Sequence, residues 1–182
     1  IQYQQQMEAF AHLASTDALT GLPNRRSMEQ KLSSGFKTAV DNNQHYCFGL
    51  LDVDYFKQVN DKFSHDVGDL ALKRIADVMQ RVMGELHNGR WRGSDLCARW
   101  GGEEFALLFP DQSLENAMGK CEKIRLAIQE LDCSDFAPGL QLAVSIGVTE
   151  RSGLANHEKM VSKADENLYV AKHNGRNQVI AI

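Results

Sequence analysis

Two pairs of acidic residues stand where strands are expected to end. Asp52 and Asp54 close the apolar run "HYCFGLLDVD", and Glu103 and Glu104 follow two glycines in "ARWGGEEFALLF". Clustered carboxylates repel one another unless a cation lies between them, and oxygen ligands without nearby His or Cys suit Mg²⁺ or Mn²⁺ better than zinc. From "GGEE" alone, a solvated turn with exposed acids is equally compatible, because the tetrapeptide is a weak signal.

Polar and basic residues follow the first acidic pair. The segment "DVDYFKQVNDKFSHDVGD", residues 52–69, carries Lys57, Asn60 and His65 between a strand and a long helix, where a helix N-terminus can meet a phosphate or a base. "AKHNGRN" adds Lys172 and Arg176 as candidates for triphosphate oxygens. Each basic residue alone is more often a surface charge. Together with the acids they are typical of two-metal phosphoryl or nucleotidyl transfer on a nucleoside triphosphate.

The composition narrows the class of protein. The 182 residues are 43% hydrophobic, which suits one domain with a short appendage, and the net charge of −4 argues against long nucleic acid or an anionic membrane as partner. The four cysteines form no CxxC pair, so buried free thiols in a reducing cytosol are expected, with disulfides or a zinc site as the alternative. No apolar run approaches the ~20 residues of a membrane span.

The periodicity of apolar residues predicts the elements that position these groups. Helices are expected after Pro23 to about Val40 and around 72–83, 114–128 and 157–173; strands are expected at 45–54, 96–100, 104–109, 142–149 and 178–182. Gly101 and Gly102 are expected to supply the turn dihedrals of a hairpin. This order contains a split β-α-β unit, so we predict an α+β, ferredoxin-like or polymerase-palm-like fold, with helices flanking a sheet that contains antiparallel strands. The first strand and the hairpin are then neighbours, and the carboxylates converge.

An amphipathic stripe precedes this domain. Met7, Phe10, Ala11 and Ala14 recur at helical spacing before "STDALTGLPNRR". The stripe could end a coiled-coil linker from an upstream module, or it could belong to a helix that packs on the domain. The abrupt start at "IQYQQQ" leaves open that the chain is a fragment of a longer protein.

Six motifs, "DALTGLPNRR", "DVDYFKQVND", "HDVGD", "RWGGEEF", "SIGVT" and "ADENLYVAKHNGRN", resemble in order and spacing the GGDEF family of diguanylate cyclases over residues 15–182. The resemblance implies a nucleotidyl cyclase-like domain at 16–182, preceded by a helical linker at 1–15. It implies condensation of two GTP into cyclic di-GMP and pyrophosphate with Mg²⁺ or Mn²⁺. Two domains would face each other, so a homodimer is needed for catalysis. The implied location is cytoplasmic, with an upstream sensor or regulatory domain and with membrane anchoring upstream left open.

The resemblance also implies roles for single residues. Asp52, Glu103 and the carbonyl of Val53 match metal ligands, and Glu104 matches an acid that either binds metal or activates the hydroxyl. Asn60 and Asp69 match the pair that reads guanine, since a carboxylate can accept from guanine N1–H and its amine. The remaining matches are Lys57, Lys172 and Arg176 for phosphates, with Phe56, His65, Gly101 and Gly102 around the nucleotide.

"RGSD" has the form of the family's inhibitory RxxD site for the product. Arg92 and Asp95 match it, and Lys123 stands where some members carry an arginine that completes the site from a second domain. Lysine keeps the positive charge but cannot make the bidentate hydrogen bonds of an arginine, so the strength of product inhibition stays open. Ser64 replaces the usual glycine before His65, and a small change of the loop over guanine is expected.

Three functions therefore stand side by side. The intact acids and basic residues favour an active cyclase. A silent domain that binds GTP or cyclic di-GMP as a receptor is the alternative from another class. A dimerisation module fused to a sensor is compatible with either.

Overall fold

The fold is that of a computed structural model, which describes residues 1–84, 86, 87, 90, 91 and 95–182. Six helices are described: α1 (Gln2–Ser15), α2 (Arg25–Asp41), α3 (Phe56–Lys62), α4 (His65–Met83), α5 (Leu114–Gln129) and α6 (His157–His173). Seven strands are described: β1 (Tyr46–Val53), β2 (Leu86–His87), β3 (Arg90–Trp91), β4 (Leu96–Gly101), β5 (Glu104–Pro110), β6 (Val144–Glu150) and β7 (Val179–Ile180).

Five of these strands form one sheet in the order β4-β5-β1-β6-β7, and β2 and β3 pair separately. β1 lies in the middle and is antiparallel to both β5 and β6, whereas β7 joins β6 in parallel. This arrangement confirms the predicted α+β fold, including the neighbouring positions of the first strand and the hairpin. At the end of β1, Asp52 stands opposite Glu104 on one side and Ser145 on the other.

Helices cover both faces of the sheet because successive side chains of a strand point to opposite faces. Cys47 and Leu51 of β1 join the core beneath α4 and α5, while Phe48 and Leu50 join the core beneath α2 and α6. Every residue of β1 is buried. The acidic end of β1 therefore sits on a rigid, fully packed strand.

All four cysteines are buried free thiols, as predicted from the sequence. Removal from water raises the pKa of Cys47 and of Cys97 to about 12. These thiols stay protonated near neutral pH and act as small apolar core groups.

The local structure differs from the predictions in two places. The short helix α3 was not predicted, and Tyr55, the N-cap residue before it, lies in the left-handed region at φ 55°. Gly101 and Gly102 are both described, and neither has a positive φ, so the expectation that they supply special turn dihedrals was wrong. A β-bulge between Arg99 and Gly101 shifts the register instead, and such bulges add local twist before a chain reversal.

The helix α1 carries its apolar stripe on the outside. Met7 is 53% exposed and Phe10 is 70% exposed, and Ala11 and Ala14 are exposed as well. These residues of the stripe therefore do not pack on the described part of the domain. Within the part of the chain that the structure describes, no helix is long and apolar enough to cross a bilayer.

Candidate active site

The end of β1 brings the predicted carboxylates to one edge of the sheet. Asp52 is only 5% exposed and pairs in register with Glu104, and the N–H of Val53 donates to the carbonyl of Glu103 at 3.2 Å. These backbone contacts hold the hairpin acids beside the strand. The convergence predicted from the sequence is thus confirmed at the level of the backbone.

Lys172 of α6 provides the positive charge nearest to Asp52. Its Nζ lies 3.1 Å from Asp52 Oδ2. Burial raises the pKa of Asp52 to about 6, because desolvation, with repulsion from Glu103 and Glu104, outweighs the hydrogen bond and charge of Lys172. Near neutral pH the edge of the sheet holds more negative charge than one lysine balances, which favours binding of a cation.

The donor set fits a hard divalent cation. Carboxylate and carbonyl oxygens are the ligands that Mg²⁺ and Mn²⁺ prefer, and Asp52, Glu103, Glu104 and the carbonyl of Val53 offer only oxygen. Among the described residues, no three His, Cys, Asp or Glu side chains already stand close enough to enclose a metal. Glu103 and Glu104 are only partly buried, so their side chains have room to turn toward Asp52.

The glycines leave open space at the hairpin. A Cβ on Gly102 would meet no atom within 4 Å, and one on Gly101 would meet only Glu104 Oε2 at 4.0 Å. Their lack of side chains is therefore not needed for packing inside this chain. A ligand that approaches the hairpin backbone is a physical reason for both glycines.

Arg99 stabilises the hairpin backbone by hydrogen bonds. Its Nε and Nη2 donate to the carbonyl of Gly102 at 3.1 and 2.8 Å, and its Nη1 donates to Asp17 Oδ1 at 3.1 Å. Asp17 also accepts from Thr20 N and Oγ1 at 2.9 and 2.7 Å. The sequence analysis missed this group, although an arginine in the middle of an apolar strand pattern was a usable signal.

Asn60 of α3 has an unused acceptor. Its Oδ1 is buried, and no donor among the described residues reaches it. The Asn60 side chain packs directly against Gly68 of α4. Any side chain at position 68 would collide with it, because a Cβ there would lie 1.9 Å from Asn60 Oδ1 and 3.1 Å from the ring of Phe56. A buried acceptor without a partner is costly, so a ligand donor is a natural occupant. Asp69 follows Gly68 and is exposed, as is His65 in the first turn of α4.

Ser64 closes the start of α4. Its side chain accepts from the N–H of Val67 at 3.1 Å, as an N-cap does. Its φ of 166° is extended backbone, which any residue adopts. Serine is therefore compatible with the backbone at this position.

The three predicted phosphate-binding residues have different surroundings. Lys172 contacts Asp52, whereas the guanidinium of Arg176 lies 4.5 Å from the centre of the Tyr55 ring and its Nη1 lies 3.3 Å from the Tyr55 hydroxyl. Lys57 is exposed on α3. A cleft of about 380 Å³ opens beside Arg176, bounded also by Tyr55 and Lys62.

Comparison with known proteins decides the family. The model of the diguanylate cyclase GGDEF domain matches residues 14–178. The chain belongs to the GGDEF domain family. This confirms the resemblance seen in the motifs, and the matched range includes every predicted site residue from Asp52 to Arg176.

Individual relatives agree with this assignment. The GGDEF domain described here is 35% identical over 174 residues to diguanylate cyclase DgcM of Escherichia coli, covering 96% of this chain and 40% of DgcM. It is 37% identical over 171 residues to response regulator PleD of Caulobacter vibrioides, covering 92% of this chain and 36% of PleD. The chain therefore spans about two fifths of these relatives.

Solved GGDEF structures share the fold. The coiled coil and GGDEF domain of DgcB from Caulobacter crescentus, in complex with c-di-GMP, superposes with a TM-score of 0.90 at 29% identity, covering 100% of this chain and 92% of that one. Diguanylate cyclase SiaD from Pseudomonas aeruginosa, in complex with its activator SiaC, gives a TM-score of 0.83 at 37% identity, covering 100% and 68%.

The predicted inhibitory site of this GGDEF domain is described only in part. Arg92 lies outside the described residues. The Asp95 side chain is fully buried and is held by Lys120 Nζ and Gln112 Nε2. Lys120 was missed in the sequence analysis, since only Lys123, one turn further along α5, matched a family position.

Proposed function

We propose that this GGDEF domain is a diguanylate cyclase that condenses two GTP into cyclic di-GMP and two pyrophosphates. The observation that carries the proposal is the meeting of Asp52 with the Glu103–Glu104 hairpin beside Lys172, at the edge of a rigid sheet. Membership of the family supports the same activity. The buried Oδ1 of Asn60, which accepts no hydrogen bond from any residue that the structure describes, supports a ligand at the base-reading position.

In this proposal Asp52, Glu103, Glu104 and the carbonyl of Val53 hold Mg²⁺ or Mn²⁺. A divalent cation there would neutralise triphosphate charge and make the 3′-hydroxyl easier to deprotonate. Lys172, which contacts Asp52 in this structure, would donate from its ammonium to phosphate oxygens. Lys57 and Arg176 supply further donors to the triphosphate. Glu104 either binds the cation or accepts the proton of the attacking hydroxyl.

Guanine recognition is assigned to Asn60 and Asp69. A guanine edge presents N1–H and an amine as donors, and the buried Asn60 Oδ1 and the exposed Asp69 carboxylate are acceptors. Phe56 and His65 stand on the helices that carry these two residues and flank the base. Gly101 and Gly102 let the nucleotide lie against the hairpin backbone.

Catalysis requires a homodimer, because one domain binds one GTP and two substrates must meet. The exposed α1 supports this step, since Tyr3, Met7, Phe10 and Ala14 lie at alternating spacings of four and three residues, as in a coiled-coil seam. We therefore propose residues 1–15 as a helical linker and 16–182 as the catalytic domain. We also propose that an upstream sensor or regulatory module controls the formation of this dimer through α1.

A product site at Arg92, Asp95 and Lys123 would restrain the enzyme. An arginine can make bidentate hydrogen bonds to a phosphate or a guanine edge, and it can stack on a base. The buried Asp95 is engaged by Lys120, so product binding at this carboxylate must compete with that contact. We place the activity in the cytosol, where GTP is available and free thiols persist.

Chromatography after incubation with GTP and Mg²⁺ tests the activity. The expected products are cyclic di-GMP and pyrophosphate in a ratio of one to two. Binding of GTP without any product would favour the receptor function instead, and absence of both binding and product would contradict the site.

A further inference from the structure

The second aspartate of "DVD" has no role in the mechanism proposed above, yet its contacts are specific. Asp54 is 7% exposed and accepts from Ser145 Oγ at 2.7 Å and from the N–H of Asn177 at 3.0 Å. One carboxylate oxygen therefore faces β6, and the other holds the backbone of the loop between α6 and β7. Burial of a charged group is tolerated when it is hydrogen-bonded in this way.

That loop has an unusual backbone. Gly175, Arg176 and Asn177 have φ of 110°, 63° and 47°, so three successive residues lie in the left-handed region. Two of them carry a Cβ, and non-glycine residues occupy this region only when surrounding contacts hold them there. The hydrogen bond from Asn177 N to Asp54 and that from Arg176 N to Ala171 O, at 2.9 Å, are such contacts.

The Asn177 side chain fixes the other side of the loop. Its Oδ1 accepts from Arg125 Nη1 at 2.9 Å, and its Nδ2 donates to Gln129 Oε1 at 3.0 Å. Asn177 is therefore held both by α5 and by the end of β1. Arg176 directly precedes this anchored residue.

The Arg176 guanidinium rests on the residue that follows Asp54. Tyr55 is the next residue along the chain and has φ of 55°. Its ring lies 4.5 Å from the Arg176 guanidinium carbon, and its hydroxyl accepts from Arg176 Nη1 at 3.3 Å. Asp54 thus holds the backbone at Asn177 through its carboxylate and directly precedes the tyrosine whose ring contacts the guanidinium.

We infer that Asp54 is a positioning residue, which acts through Asn177 and Tyr55 to aim the Arg176 guanidinium at the triphosphate. The inference rests on the proposed function, in which Arg176 contacts phosphate oxygens. Asp54 itself touches neither substrate nor cation in this account. Its loss should therefore affect phosphate binding and leave guanine recognition intact.

Nucleotides that differ only in phosphate number test this role. Asp54→Ala is expected to raise the Kd for GTP about 10- to 100-fold, the range of one hydrogen bond to a charged group, while the Kd for GMP stays at the parent value. Asp54→Asn keeps an acceptor for Asn177 N–H and should recover most of the GTP affinity. Equal losses for GTP and GMP would overturn the inference, because they would indicate general damage to the site.

A double-mutant cycle tests whether the effect passes through Arg176. In an Arg176→Ala background, Asp54→Ala should change the Kd for GTP by less than about twofold, because coupled residues are not additive. Full additivity of the two substitutions would overturn the inference. Ser145→Ala, which removes only one donor to Asp54, should show a smaller loss in the same direction and serves if Asp54→Ala fails to fold.

A matched surface substitution completes the design. Asp41→Ala, at the exposed end of α2, should leave both affinities unchanged. A parent chain that binds no GTP would overturn the proposed function and this inference together. A parent that binds GTP normally, beside an Asp54→Ala variant of equal affinity, would overturn the positioning role alone.

Discussion

Arg99 and Asp17 form an ion pair that connects the turn after α1 to the hairpin of Glu103 and Glu104, with Nη1 and Oδ1 3.1 Å apart. The same guanidinium donates to the Gly102 carbonyl. Both side chains are about one-fifth exposed, at 21% and 19%, so water weakens the pair only in part. The backbone of the turn is tied to β4 as well, because Arg99 N donates to Pro23 O at 3.0 Å. The side chain of Arg99 thus connects the turn after α1 with the backbone of the GGEE turn.

Asp17→Asn should lower the free energy of unfolding by about 1–3 kcal/mol at neutral pH, since it removes a charge-assisted hydrogen bond. Burial alone would raise the pKa of Asp17, but hydrogen bonds from Thr20 and the charge of Arg99 hold it below its ordinary value of 3.8. The stabilisation is therefore complete above pH 3.8 and is lost as the pH falls through the lower pKa of the folded state.

Urea unfolding of the parent and of Asp17→Asn from pH 7 down to pH 3 measures this difference, with Asp41→Asn as the surface control. The two curves should converge only at the acidic end. A gap that persists unchanged to the lowest pH would mean that the Asp17 charge does not contribute. Cyclase turnover should fall in the same variant, because Arg99, which donates to the Gly102 carbonyl of the hairpin, loses its ion pair with Asp17.

Glu103→Ala or Glu104→Ala should abolish turnover and leave the thermal unfolding temperature close to that of the parent, because each removes a partly exposed carboxylate. Titration calorimetry with Mn²⁺ should show weaker metal binding for Glu103→Ala. Glu115→Ala, an exposed acid in the first turn of α5, is the matched control and should behave like the parent. Normal activity in either hairpin variant would contradict the metal site.

Asp69→Ser should reduce the preference for GTP over ATP by about 10- to 100-fold, because a charged acceptor for guanine donors is lost. The ratio of the two dissociation constants measures the effect. Asp66→Ser, one turn earlier in the same helix and also exposed, should leave the ratio unchanged. An unchanged ratio in Asp69→Ser would refute the assignment of guanine recognition.

Arg92→Ala should shift the product-inhibition curve to higher cyclic di-GMP concentrations while the initial rate without product stays at the parent value. Arginine supplies the forked contact to phosphate or guanine that alanine lacks. Initial rates measured against added cyclic di-GMP test this. A curve that superposes on that of the parent would mean that "RGSD" is not the inhibitory site.

The sequence predicts the regular elements well where apolar periodicity is strong. The helix expected at 157–173 is His157–His173 in the structure, and the strand expected at 45–54 is Tyr46–Val53. Buried faces impose these patterns directly on the sequence. The helix α3 escaped prediction because Val59 is its only buried residue, so seven residues carry too little of the pattern.

The contacts that arrange the site are harder to predict, because they join residues far apart in the chain. Arg99 and Asp17 are 82 residues apart, and Asn177 and Asp54 are 123 residues apart. No local pattern encodes such pairs. The resemblance to the family predicted a phosphate-binding role for Lys172, but its ion pair with Asp52 depends on how α6 crosses the sheet.

The dependence of the initial rate on protein concentration tests the central claim most directly. With saturating GTP and Mg²⁺, cyclic di-GMP formation at low protein concentration should rise with the square of that concentration, because two domains must meet. Phe10→Ser, on the exposed stripe of α1, should extend this regime to higher concentrations. A rate strictly proportional to protein concentration throughout, or no product while GTP still binds, would contradict a cyclase assembled from two copies of this domain.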